Sequence, residues 1–205
     1  MAQITSGIRS ILSHPKIYNI SQALVGASHA RTIFVDYLEI KHVSCLLDIG
    51  CGTAELLNHL PEMIHYVGFD TSVKYIDTAK RNFSHRHAEF VAKQLTDTML
   101  AGYEPFDRVT ATGLLHHLED TEVRHLFQMA KGALKCDGLF VSIDPCYVDS
   151  QAIISRMLID RDRGKNVRTL SDYKCLAESI FTAVAIHHRN DLLRIPYDHA
   201  VLVCS

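Results

Sequence analysis

The chain has 205 residues, the size of one ordinary domain, and a formal charge of −2 from 21 basic and 23 acidic residues, which leaves no electrostatic case for general nucleic-acid binding. Hydrophobic residues at 47% and charged residues at 21% supply a full core and exclude a disordered chain. The longest apolar runs are strand-sized, so no membrane span is expected, and the opening MAQITSGIRS lacks the charged-then-apolar layout of a secretory leader.

The first forty residues read as helical: Ile8, Ile11 and Leu12 share a face, Pro15 interrupts, and Ile17, Ile20, Leu24, Ile33, Phe34, Tyr37 and Leu38 continue. From Val43 the character changes. Val43 to Ile49 is a short apolar run entering Gly50-Cys51-Gly52, which reads as a buried strand and tight turn, and Leu56, Leu57 and Leu60 then form a helical stripe. The alternation continues with a strand ending Tyr66-Val67-Gly68-Phe69-Asp70, a helix over 72–83, and strands over 89–92 and 107–111. A helix over 120–134 and a strand over 138–143 ending at Asp144-Pro145 follow. Helices over 151–159 and 171–179 precede two late strands, 181–187 and 199–204.

Strands alternating with helices imply an α/β, Rossmann-like, mostly parallel sheet with helices on both faces. The last two strands leave no room for a crossover helix and should pair antiparallel at one edge. No repeat or linker divides the chain, so 1–205 reads as a single domain, with a helical lid over 1–40 and a core over 43–145. Substrate-side helices over 146–180 and a final strand pair over 181–205 complete it. The six cysteines, Cys45, Cys51, Cys136, Cys146, Cys175 and Cys204, contain no C-x-x-C pair and fit reduced thiols in a cytoplasmic setting.

Ligands on such sheets sit beyond the C-terminal strand ends, so the residues just after each strand matter most. After the first strand, Gly50 and Gly52 admit close backbone approach where a Cβ would obstruct; the bland alternative is an ordinary tight turn. Asp70, 22 residues beyond Asp48, can accept hydrogen bonds from two ribose hydroxyls, or simply cap the helix near Ser72. Together the glycine turn and the acidic strand end favour a nucleoside. Glu55 stands where a dinucleotide fingerprint needs its third glycine, which disfavours NAD or FAD, and no P-loop occurs.

LLDIGCGTAELL, then YVGFD, FDRVTATGLLHHL and GLFVSIDP, resemble in order and spacing a class I S-adenosylmethionine-dependent methyltransferase over roughly residues 43 to 145. The resemblance is to small-molecule enzymes similar to those of quinone biosynthesis. It implies that S-adenosylmethionine is the cofactor and S-adenosylhomocysteine the product. It places Asp48 near the amino acid moiety, Gly50, Cys51 and Gly52 against the cofactor, Asp70 (with Thr71 beside it) at the ribose, and the Thr112 carbonyl at the ammonium. The sequence departs from the family at Ala54, the third small residue of the turn, and at Ala92-Lys93-Gln94-Leu95, where relatives often carry an aspartate for the adenine. There the Gln94 side-chain oxygen and the Leu95 amide are the substitutes.

By the same resemblance His117 falls where relatives place an aromatic or histidine facing the reactive methyl, with His116 in the same loop, and histidine suits a general base for a hydroxyl acceptor. Adjacent side chains diverge, so at most one faces substrate while the other packs or shapes the site. The pairs His85/His87 and His187/His188 lack carboxylate or cysteine partners at helical spacing and read as surface or strand histidines, so no metal is expected. Residues 156–168 hold five basic and two acidic side chains, which suit an anionic acceptor or, more blandly, a solvated helix end; Arg189 and Arg194 add to the same side. The N-terminal helical segment with Tyr18 and Arg31 is placed as a lid over the cofactor, the alternative being plain packing against the sheet. The expected reaction is methyl transfer to a small molecule, at oxygen, with nitrogen or carbon transfer and a binding protein without transferase activity as alternatives. Nothing in the sequence bears on oligomeric state.

Overall fold

The computed structural model describes residues 26–162 and 164–205. The chain lays down β1 (Cys45–Ile49), β2 (His65–Phe69), β3 (Ala88–Val91), β4 (Phe106–Thr112), β5 (Leu134–Tyr147), β7 (Val184–Arg189) and β8 (His199–Cys204) in the order β3-β2-β1-β4-β5-β8-β7. A two-residue β6 (Arg168–Thr169) pairs with the end of β5. From β3 to β5 every pairing is parallel, whereas β8 runs antiparallel between β5 and β7, one place in from the edge. The strand order reverses beside β1, between β2 and β4, and this opens the crevice at the C-terminal ends where such sheets bind ligands.

Both faces of the sheet are covered, and this explains why its strands read as nearly continuous apolar runs. Leu47, Ile49, Val109, Phe140 and Leu202 point into one cluster, closed by α4 (Asp120–Ala133) and α6 (Leu170–Glu178). Leu46, Tyr66, Val141 and Val201 point into the other, where α1 (Ala27–Tyr37) contributes Phe34 and α2 (Val73–Asn82) contributes Ile76 and Ala79. Ser72 caps α2 with its hydroxyl, which accepts the Tyr75 amide, and α4 opens with a capping box between Glu119 and Glu122.

The structure corrects several expected elements. Leu56 and Leu57 belong to a single run of 3₁₀ helix, Glu55–His59, and Leu60 follows it. Pro61 forces the preceding Leu60 into an extended conformation (φ −101°, ψ 145°), so no α-helix can continue there. The last-but-one strand begins at Val184 rather than 181, because Phe181 turns inward to stack on Phe140 and pack edge-on against Phe127. Strand β5 is longer than the expected 138–143, and the short helix α3 (Asp97–Leu100) and β6 were not foreseen. Helix α5 (Ile153–Asp160) lies close to its expected place.

The N-terminal ends of the strands are tied by Asp107. One carboxylate oxygen accepts the Ser44 and Cys45 amides at 2.8 and 2.9 Å and the Ser44 hydroxyl at 2.7 Å, while the other meets Lys135 at 2.6 Å. These partners outweigh partial burial and hold its pKa far below the ordinary value. This end of the sheet is a brace, and the chemistry-bearing side chains gather at the other.

Candidate functional site

The turn after β1 is shaped by departures from ordinary backbone at three alternate residues: Gly50 at φ 78°, Gly52 at φ 57° and Ala54 at φ 59°. The Gly50 and Cys51 amides both donate to the Phe69 carbonyl, at 2.7 and 3.0 Å, which ties the turn to the end of β2. Asp70 completes the knot: one oxygen accepts the Gly52 amide at 3.0 Å and the other the Ser72 amide at 2.7 Å. A Cβ at Gly50 would lie 3.1 Å from Leu114, whereas one at Gly52 would meet nothing within 4 Å. Gly52 therefore faces open space beside an acidic strand end.

Cys51 points back into the protein. A Cβ on Gly68 would lie 2.8 Å from its sulfur and 2.9 Å from the Tyr66 ring, so a bare glycine in the middle of β2 makes room for the turn. Burial, followed by the charges of Asp48 and Asp70, pushes the Cys51 thiol well up, leaving it a neutral packing group.

Asp48 is 1% exposed, and one of its oxygens accepts the Tyr66 hydroxyl at 2.6 Å. The other oxygen, Oδ1, is buried with no hydrogen-bond partner among the described residues. Burial raises the Asp48 pKa to about 6, the Tyr66 hydrogen bond opposing it only in part. Because the folded-state value lies above the unfolded one, the stabilising contribution is full below about pH 3.8 and is lost as pH rises through about 6. Without ligand, Asp48→Asn should therefore unfold at higher temperature than the parent at pH 8, by on the order of 1–3 kcal/mol, and the two should converge near pH 4. Paired thermal melts across that range are the check; a gap that does not change with pH would contradict it.

The remaining candidates line the same strand ends. Thr112 closes β4, and Gly113 behind it, at φ 61°, donates its amide to the Ile143 carbonyl at 2.8 Å. Thr71 and Gln94 are exposed, whereas the Leu95 side chain is buried in the core, so only its backbone is available to a ligand. Helix α1 lies across the Glu55–His59 turn through Ser28 and Thr32, which contact the His59 ring. The Arg31 charge bears on Asp48. Tyr18, the other residue expected in the lid, lies outside the described residues.

His116 and His117 sit side by side in the 3₁₀ turn Leu115–His117, with ring centroids 4.0 Å apart. Their environments differ. His116 is buried; its Nδ1 lies 2.7 Å from Asp144, its Nε2 3.4 Å from Asp162, and its backbone amide also donates to Asp144 at 3.1 Å. Burial alone would lower its pKa, but the two carboxylates override it and raise it to about 9. With Nδ1 hydrogen-bonded to Asp144 and Nε2 facing Asp162, the ring offers a substrate proton no open lone pair, which fits a base poorly. His117 is partly exposed.

The basic segment also differs from expectation. Arg168 is not a surface cation: it is 8% exposed and donates to Asp120, to the Leu115 and Leu118 carbonyls and to the Asn166 carbonyl. Arg189 is engaged by Asp191 and Tyr37, Arg156 lies over the Tyr147 ring, and Arg194 packs against Gly26. Of the histidine pairs, His87 stacks on His65, His187 touches Tyr37, and His188 bonds Asp198 at 2.7 Å. Sequence reasoning missed Asp144, Asp162 and Tyr197, whose hydroxyl donates to Asp162 at 2.7 Å.

An adenosyl amino acid fits these residues. The orphaned Asp48 oxygen offers a buried anionic acceptor for an ammonium, Gly52 leaves the space a ligand would fill, and Asp70 stands at the strand end beside it. Residues 46–138 match the family described as a methyltransferase domain. A protein of Geobacillus sp. (strain WCH70) named as a methyltransferase is 34% identical over 101 residues, covering 47% of this chain and 40% of its own. The chain thus spans well under half of that relative's length. Among solved structures, the pyocyanin biosynthetic protein PhzM superposes with a TM-score of 0.75 at 16% identity, over 98% of this chain and 63% of its own. Human N-acetylserotonin methyltransferase, solved with S-adenosylmethionine, gives 0.70 at 16%, over 95% and 55%. The mitomycin 7-O-methyltransferase MmcR gives 0.65 at 17%, over 95% and 60%. At these identities the structures share the fold. Among the described residues, no helix is long and apolar enough to cross a membrane.

Proposed function

We propose that the protein methylates a small-molecule acceptor, at a hydroxyl oxygen, with S-adenosylmethionine as donor. The observation that carries this reading is the buried, unpartnered Asp48 oxygen beside the open face of Gly52 and the Asp70 carboxylate. Asp48 receives the ammonium, Asp70 the ribose hydroxyls, the Thr112 carbonyl the same ammonium, and the Leu95 amide with the Gln94 side chain the adenine edge. The bound donor supplies a methyl carbon made electrophilic by a sulfonium. What the protein adds is alignment and exclusion of water. With strands β1 to β4 taken up by the donor, the acceptor lies over the ends of β4 and β5, beside His117. His117 stands on the turn after β4, and it takes or orients the hydroxyl proton. The mitomycin 7-O-methyltransferase among the similar folds is consistent with transfer to oxygen. Arg156, Arg161 and Lys165 remain exposed near this side and would favour an anionic acceptor.

Thermal melts with S-adenosylhomocysteine, with NAD as control, test the donor site. At about 100 times the dissociation constant the ligand adds ~2.7 kcal/mol, a rise of roughly 5 to 11 °C. A shift with the first ligand alone supports the reading, and an acceptor panel of phenols, quinols, sugars and amines then assigns the atom. No shift at millimolar ligand would sink it.

A further inference from the structure

Three segments far apart in the chain meet at His116. Asp144 comes from β5, Asp162 from the loop after α5, and Tyr197 reaches Asp162 from the connection between β7 and β8. The loop after α5 is fitted closely to the ring. The Asn166 amide donates to the His116 carbonyl at 3.0 Å, and the Gly164 amide to Asp162 at 3.0 Å. A Cβ on Gly164 would lie 1.9 Å from His116 Cδ2 and 2.7 Å from its carbonyl oxygen. If the ring carried only the Nδ1 proton, its Nε2 lone pair would face an Asp162 carboxylate already accepting from Gly164 and Tyr197. A ring protonated on both nitrogens places a donor toward each carboxylate.

We propose that His116 is a positioning residue that, as an imidazolium bridging Asp144 and Asp162, anchors the loop carrying Asp162, Gly164 and Asn166 beyond the ends of β4 and β5 and so fixes the wall against which the acceptor is held. The role toward an acceptor rests on the proposed methyl transfer; the anchoring does not. The charged and titratable groups facing the ring are Asp144 from β5, Asp162 with Tyr197 behind it, His199 from β8, and His117 on its own turn. His199 is held neutral by burial, its pKa lowered to about 4, so it adds no competing charge. Because the His116 value is raised, its contribution is full below the ordinary histidine pKa and is lost as pH climbs through about 9.

The test is made on the full chain without acceptor. Nitrogen-15 spectra of the His116 ring at pH 7.5 should show both nitrogens protonated. Amide exchange at Gly164 and Asn166, corrected for intrinsic rates, should quicken at least about tenfold in His116→Gln and in Asp162→Asn, and in the parent above pH 9. The melting shift produced by S-adenosylhomocysteine should persist in both variants. If His116→Gln does not fold, Asp162→Asn carries the comparison. A neutral ring at pH 7.5, or unchanged exchange in the variant that folds, would overturn the anchoring. Loss of the ligand shift together with faster exchange would overturn the positioning role by showing a general loosening. Absence of the shift in the parent would instead remove the methyltransferase reading and leave the anchor standing.

Discussion

Asp70→Ala should weaken S-adenosylhomocysteine binding by roughly 10²- to 10⁴-fold, because a carboxylate receiving two hydroxyls contributes about 1.5–3 kcal/mol for each charge-assisted hydrogen bond. The change also removes the acceptor of the Gly52 and Ser72 amides, so the turn itself loses its tie to β2. Asp70→Asn separates the two roles. Its single side-chain oxygen can serve one amide, not both, and its NH₂ group opposes the other donor. Titration calorimetry on both variants is the measurement. A change of less than about fivefold in Asp70→Ala would mean that the ribose lies elsewhere.

Arg168→Ala should cost about 3–5 kcal/mol and lower the melting temperature by roughly 6 to 20 °C. The guanidinium serves the Leu115, Leu118 and Asn166 carbonyls and the Asp120 carboxylate together, with Tyr173 5.7 Å beneath it. Removing it strands carbonyls on both sides of the histidine turn in a buried place. Arg168→Lys should recover little, since a single ammonium cannot span acceptors matched to a planar fork. A melting temperature within about 2 °C of the parent for either variant would show that water replaces these bonds readily.

The first two strands were readable because each stops its apolar run at a glycine or an aspartate, Ile49-Gly50 and Phe69-Asp70. The glycine turn and Asp70 were visible for the same reason, being local in sequence. The partners of His116 were not. Asp144 reads as an ordinary strand end before a proline, and Asp162 sits in a basic run that looks solvated. Only the fold brings them to one ring, from 28 and 46 positions away in the chain. The same holds for Arg168, which composition alone assigns to a surface patch and tertiary packing turns inward. The missed limit of the first helical stripe was a different kind of error, since Pro61 was in plain view and its effect on Leu60 outweighs the spacing of the leucines.

The close approach of Cys51 to Gly68 makes the two positions a single allotment of volume shared by the turn and the second strand. Enlarging residue 68 by one methyl displaces either the sulfur or the Tyr66 ring, and Tyr66 holds Asp48. A family of such chains could change one of the two freely only where the other shrinks in step. Variation at this glycine of β2 would thus be felt at Asp48, its register partner on β1, through the ring that holds the carboxylate.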